Sequence, residues 1–283
     1  MSTVKLHRSM LTLTNRCTLN CLYCSAYVPL YHHPPHYTFT QLESYTNRYF
    51  ELIDYVDIFT LTGGEPLLHE NIDKVIFLFD KYYYRVGKLC LITNGTIVPN
   101  ELLLEAIIKY RGEIYVLLDD YGAISVNCDK VEQVLKETGI VYERRKYYGD
   151  QSYCNGWVDN WNLAQKFFSL EDVEENHHSC ETAKNNNLCM IIKGGVIYPC
   201  GPVFKCISDG IVIDDDNPEH LDLMNPVVNR ESFFAWAQKM YQATSFRSCA
   251  YCSGVNSNSQ RYMPAQQIVK NNYNYDNDLY TSL

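Results

Sequence analysis

A chain of 283 residues can bury a full core, and 46% hydrophobic against 20% charged residues is the balance of an ordinary globular protein. A net charge of -9 argues against the basic surface that a nucleic-acid partner requires. No apolar run is long enough to span a bilayer and no cationic-then-apolar leader opens the chain, so no membrane partner and a cytoplasmic location are expected.

Leu11, Leu13 and their neighbours predict a strand that leads directly into a loop reading Cys17-Thr18-Leu19-Asn20-Cys21-Leu22-Tyr23-Cys24. A helix is predicted over 40–55, a strand over 56–61 ending at Gly63-Gly64, and a helix over 72–84. Next come a strand over 89–92 stopped by Asn94-Gly95, a helix over 101–110 and a strand over 114–118 ending at Asp119-Asp120. A helix over 130–137, closed by Gly139, and a strand over 140–144 complete the series. Repeated strand–helix units with short apolar strands predict an α/β fold with a parallel sheet that curls towards a barrel.

The alternation fades around 151–166, which divides the chain into a core domain over 1–165, a smaller domain over 166–255 and a polar tail over 256–283. The smaller domain is predicted to hold a hairpin over 188–198 turned by Gly194-Gly195 and an amphipathic helix over 231–243. The tail is expected to be poorly ordered.

Twelve cysteines are an excess for a reducing compartment and point to metal or redox work. Thiolates suit iron–sulfur clusters and zinc. Structural zinc closes with four ligands, whereas Cys17, Cys21 and Cys24 on a four-iron cluster leave one coordination position open for chemistry. A zinc loop would have to borrow a ligand from His32, His33 or His36. Gly63-Gly64-Glu65-Pro66 follows the second predicted strand; its glycines allow close approach to the backbone, and Glu65 can accept hydrogen bonds from an ammonium group. Asn94 and Asp119 end the third and fourth strands, where ligand groups collect in a barrel. Cys180, Cys200, Cys249 and Cys252 form a second group that closes either a cluster or a zinc site. Among the others, Cys90 and Cys189 fall in predicted strands as small core residues, and Cys128 has no assignment. Cys154 and Cys206 are candidate catalytic residues, as thiols able to donate a hydrogen atom to a product radical.

With CxxxCxxC and an aromatic residue before its last cysteine, the chain resembles the radical S-adenosylmethionine (SAM) superfamily. The resemblance implies a partial (β/α)6 TIM-like barrel, with a [4Fe-4S] cluster on Cys17, Cys21 and Cys24 whose open iron binds SAM. It also implies that Tyr23 lies beside the adenine, that Gly63-Gly64-Glu65-Pro66 meets the SAM amino group, and that Asn94 and Asp119 meet SAM or substrate. Reductive cleavage of SAM to methionine and a 5'-deoxyadenosyl radical is the implied chemistry. Cys180, Gly195-x4-Cys200 and Cys249-x2-Cys252 resemble the twitch extension, a shortened relative of the SPASM domain with a hairpin and a helix. No cysteine follows Cys252, so one auxiliary [4Fe-4S] cluster is implied rather than two.

The leading expectation is hydrogen abstraction from an unactivated C–H bond, with oxidation or epimerisation of a carbohydrate-like small molecule and a flavodoxin- or ferredoxin-type electron donor. The alternative is thioether formation, C–C crosslinking or epimerisation on a ribosomally made peptide. That alternative is disfavoured because the barrel is predicted to begin within about ten residues of Met1, without the leader-binding segment of many peptide maturases. A non-enzymatic zinc-binding protein is the expectation of another class.

Overall fold

A computed structural model describes residues 3–150, 152–184, 187–213 and 218–268. Eight strands form one sheet in the order β5-β4-β3-β2-β1-β6-β7-β8. Strands β1 (Lys5–Thr14), β2 (Tyr55–Gly63), β3 (Val86–Thr93), β4 (Ile114–Asp120) and β5 (Tyr142–Lys146) run parallel to their neighbours. β6 (Cys189–Lys193) adds a sixth parallel strand on the other side of β1, with Ser9 opposite Met190 and Leu11 opposite Ile192. The sheet remains open between β5 and β8, so the expected α/β partial barrel is what forms. The hairpin predicted after Leu188 extends this sheet instead of starting another: β7 (Val196–Tyr198) returns antiparallel through Gly194 and Gly195, and β8 is Leu221–Asp222.

The parallel strands read as near-continuous apolar runs because helices cover one face and the site covers the other. Helices α1 (Phe39–Leu52), α2 (Ile72–Asp80), α3 (Glu101–Lys109) and α4 (Cys128–Thr138) occupy the crossovers. α1 starts at a capping box, with Thr38 accepting from the Gln41 amide and the Gln41 side chain accepting from Thr38. α4 ends on Gly139 at φ +71°, a left-handed position for which glycine is best suited. The rings of Tyr49, Phe59 and Phe79 fill the space between α1, α2 and the sheet, Phe59 and Phe79 lying 4.6 Å apart.

Among the described residues, three α-helices follow β5. α5 (Leu170–Ser179) and α6 (Gly201–Ser208) are absent from the sequence prediction; α7 (Arg230–Gln242) matches it to within a residue at each end. The expectation of a poorly ordered tail fails for 256–268. Ala265 is buried, Tyr262 pairs with Trp157 as an antiparallel bridge, and Gln267 pairs with Cys21 in the same way. The rest of the expected tail lies outside the described residues. No described helix is long and apolar enough to cross a membrane.

Candidate active site

Parallel strands end at one edge of the sheet, so everything that follows β1 to β5 is brought to the same place. The loop after β1 carries Cys17, Cys21 and Cys24. β2 presses against it: the Gly64 amide donates to the Thr14 carbonyl (2.7 Å) and the Glu65 amide to the Arg16 carbonyl (2.9 Å). A Cβ on Gly64 would stand 2.2 Å from the Arg16 carbonyl oxygen, and one on Gly63, where φ is +147°, 2.0 Å from that of Thr14. The two glycines are therefore needed to seat the cysteine loop.

Glu65 takes a different role from the one its sequence context suggests. It is fully buried with Pro66 behind the glycines, outside the cavity. Its carboxylate accepts from the Leu67 amide (3.0 Å), the Thr93 hydroxyl (3.0 Å) and the Asn94 amide (2.8 Å), which fixes the end of β3. Burial pushes its acid constant up to about 7, against the pull of those donors. The Gly63-Gly64 backbone, not the carboxylate, faces the cavity.

Asn94 does reach the loop, its amide donating to Thr18 Oγ1 (3.1 Å) and lying 3.5 Å from Cys17 Sγ. The Leu19 amide lies 3.4 Å from the same sulfur, and the Gln267 side-chain amide 3.2 Å from Cys21 Sγ. Burial raises the Cys17 thiol to about 11 and the Cys21 thiol to about 12. Desolvated thiols ringed by N–H donors suit a cationic metal centre, which favours their ionised form. The histidines that a zinc loop would borrow stand elsewhere. His32 and His33 are exposed, and His36 is held between Thr14 Oγ1 and Glu70.

The second cysteine set lines the same cavity. Cys180 caps the C-terminus of α5, Cys200 caps the N-terminus of α6, and Cys249 and Cys252 flank a single turn. The Val255 amide reaches Cys180 Sγ (3.5 Å), the Gly254 amide Cys252 Sγ (3.3 Å), and His177 Nδ1 stands 3.5 Å from Cys249 Sγ. Burial raises Cys200 and Cys249 strongly, and Cys252 to about 11. Among the described residues no three His, Cys, Asp or Glu side chains gather tightly enough for one metal ion.

The cavity between the two sets measures about 490 Å³. Its floor is the inner face of the strands, through Met10 and Thr12, Thr62, Ile92 and Ile191; Asp119, Arg145 and Lys193 stand at strand ends. Asp119 accepts from Arg145 Nε at 2.7 Å, and burial raises the carboxyl to about 6 although the guanidinium opposes this. Lys193 lies over the rings of Phe204 (4.0 Å) and Tyr31 (4.7 Å), and burial depresses it to about 7.

Three of the expected site residues are outside the lining of the cavity. Tyr23 is one, its ring 4.5 Å from Tyr262 and 5.8 Å from Trp161. Cys206 is buried on the packed side of α6, and Cys154 is exposed in a left-handed turn at φ 58°, so neither lines the cavity as a hydrogen donor would. Sequence reasoning missed Arg145, Lys193, Asn176 and Gln267. The first two end strands and follow the rule that marked Asp119; the last two come from a helix and a segment with no pattern to expose them.

Residues 11–144 match the family model of the radical SAM superfamily. The chain is 28% identical over 267 residues to a GTP 3',8-cyclase of Clostridium botulinum, covering 89% of this chain and 77% of that protein. It is similar in structure to anSMEcpe with bound AdoMet, at a TM-score of 0.53 and 15% identity over 93% of this chain and 90% of that one. It is also similar to BtrN in complex with AdoMet and 2-DOIA, at a TM-score of 0.51 and 14% identity over 93% of this chain and 98% of that one. At these identities the structural likeness speaks for the fold.

Proposed function

We propose, from the premise that residues 11–144 of this chain belong to the radical SAM superfamily, that the protein oxidises a carbohydrate-like small molecule by abstracting hydrogen from an unactivated C–H bond. The observation that carries this reading is one cavity lined by two cysteine sets, three on a single loop and four from the α5 end, the α6 start and the turn at 249–252. Cys17, Cys21 and Cys24 would hold a [4Fe-4S] cluster with an open iron, and Cys180, Cys200, Cys249 and Cys252 a closed auxiliary [4Fe-4S] cluster. When bound, the first would supply the electron for cleaving SAM to methionine and a 5'-deoxyadenosyl radical, and the second would offer a nearby electron acceptor.

The chain's own residues set the rest. Asp119, Asn94 and Tyr121 offer hydrogen bonds to hydroxyl groups at the strand ends. Arg145 and Lys193 are the cations of the lining; the first is held by Asp119 and the second is depressed by burial. A nucleoside triphosphate, the substrate class in the name of the clostridial relative, needs a larger set of arginines and lysines than this. A neutral, hydroxylated ligand matches better. The small-molecule complex of BtrN supports the same direction by fold likeness only. A flavodoxin- or ferredoxin-type donor in the cytoplasm would supply the electron.

One observation favours the peptide reading. A second cavity of about 690 Å³ adjoins the first, with Tyr121 and Tyr147 lining both, and has room for the flank of a longer substrate.

The test is anaerobic reconstitution with iron and sulfide, reduction with dithionite, and a screen for deuterium transfer into 5'-deoxyadenosine. Labelled aminocyclitols and sugars should transfer deuterium. Transfer from GTP or a peptide alone would move the substrate class. Zinc without iron, together with intact SAM, would end the enzyme reading.

A further inference from the structure

We infer that residues 261–268 strap the three-cysteine loop in place and that Gln267 within the strap is a positioning residue for the cluster, raising its reduction potential through an N–H···S hydrogen bond to Cys21. The inference rests on the reading of Cys17, Cys21 and Cys24 as cluster ligands. It goes beyond that reading because Gln267 lies in the primary sequence 243 residues after the last of them, Cys24 (267 − 24).

The strap joins the loop as a short antiparallel pairing. The Leu22 amide donates to the Gln266 carbonyl (2.7 Å) and the Ile268 amide to the Asn20 carbonyl (2.8 Å). The Asn20 side chain adds a bond to the Ile268 carbonyl (3.0 Å). The far end of the strap is anchored independently: Tyr262 and Trp157 exchange backbone hydrogen bonds at 2.8 and 2.9 Å, and the Tyr262 ring packs tilted against Tyr23 at 4.5 Å. Ala265 turns the chain between these anchors at φ 55° and is buried.

Within this frame all polar atoms of the Gln267 amide are used. Its oxygen accepts from the Asn20 amide (2.8 Å), and its nitrogen donates to the Ala265 carbonyl (2.7 Å) and to Cys21 Sγ (3.2 Å). The two contacts that fix the amide orient an N–H at the sulfur, so the donor is preorganised. Cys21 itself is buried, where a hydrogen bond to a charged sulfur counts for more than in water. Reduction adds negative charge to the cluster, and a donor aimed at a ligand sulfur stabilises the reduced form more than the oxidised one.

The experiment uses the full chain, reconstituted anaerobically, as wild type, Gln267→Met, Gln267→Asn and Asn20→Ala. The midpoint potential is read by EPR on the signal that added SAM alters, and iron is counted in each sample. Met keeps the volume of Gln267 without an N–H, and Asn keeps the amide but draws it back from the sulfur. Both are expected to retain iron and to lower the ratio of reduced to oxidised cluster at a fixed potential about tenfold, which is 59 mV for a one-electron couple. Asn20→Ala removes the side-chain bond to Ile268 and leaves Gln267 in place, so its midpoint should stay at the wild-type value. Wild-type midpoints in both Gln267 variants would overturn the inference, as would an equal shift in Asn20→Ala, which would reduce the strap to a structural support. If the Met variant loses iron, the Asn variant decides. A wild-type chain with no SAM-sensitive cluster would instead overturn the reading of the loop on which the inference stands.

Discussion

The two cysteine sets line one cavity but are built in opposite ways. Cys17, Cys21 and Cys24 belong to one short loop that a single strand delivers and two glycines seat. Cys180, Cys200, Cys249 and Cys252 come from the end of α5, the start of α6 and a turn beyond α7. The first set sits on one contiguous loop that protein contacts already seat, through Gly63-Gly64 and the pairing with 266–268, so its ligands do little to hold the fold. The second has ligands far apart in sequence, and closing loops of that length has an entropic cost that metal binding must offset. Chemistry and stability should therefore separate between the two sets.

The largest effect is expected from Cys21→Ala. It removes a ligand from the open cluster, and 5'-deoxyadenosine formation should fall by more than the ~10–100-fold that losing a mere supporting partner costs a metal site. The thermal midpoint of the reconstituted protein should move little. SAM cleavage that survives this change would break the assignment of the first loop. The paired change Cys249→Ala with Cys252→Ala should do the reverse. Roughly half of the iron should be lost, one four-iron cluster of two, with SAM cleavage retained and the thermal midpoint lowered. Unchanged iron would show that those thiols hold no cluster.

A smaller effect on the same axis is expected from Asn176→Ala. This buried side chain of α5 donates to the carbonyls of both Cys249 and Cys252 at 3.0 Å, tying the turn to the helix that ends in Cys180. Two carbonyls left without a donor should cost about 2 kcal/mol, read as a lower urea midpoint of the metal-free chain. SAM cleavage should be untouched. A variant as stable as wild type would mean that the turn is held by other contacts.

The same difference decides what the sequence could disclose. The first set was legible because strand, cysteines and glycines are contiguous, and each predicted strand of the parallel series recurs within a few residues of its place. α5 and α6 escaped notice. α5 carries acidic residues and histidines with only a weak apolar stripe, and α6 is a short helix directly after the hairpin. Glu65 was assigned by its neighbours to a ligand, yet three donors from β3 and its own turn claim it. Pairing of 262–268 with residues 20–22 and 157 is a long-range contact between polar segments, and no periodicity signals such a partner. Tyr23 followed the same blind spot, since the ring it meets belongs to that strap.

The smallest predicted effect is a pH dependence that also sorts the two regions. Each cysteine set leans on a buried carboxyl group: Glu65 receives the amides at the end of β3, and Glu219 receives the Arg247 amide at 2.7 Å where the Cys249 turn begins. Burial raises both, but Glu219 also has the Arg247 guanidinium 3.5 Å away to hold its charge, whereas hydrogen bonds alone oppose the shift in Glu65. A carboxyl with a raised folded value binds its proton more tightly in the folded state. Its contribution to stability is full below the unfolded value of about 4.5 and is lost as pH rises through about 7. The metal-free chain should therefore lose stability across that window. Asp119, raised to about 6 from 3.8, contributes to the lower part of the window only. Glu65→Gln has no proton to titrate and should flatten the profile as pH rises towards 7, measured as urea midpoints. A profile as steep as that of wild type would mean that another group titrates there.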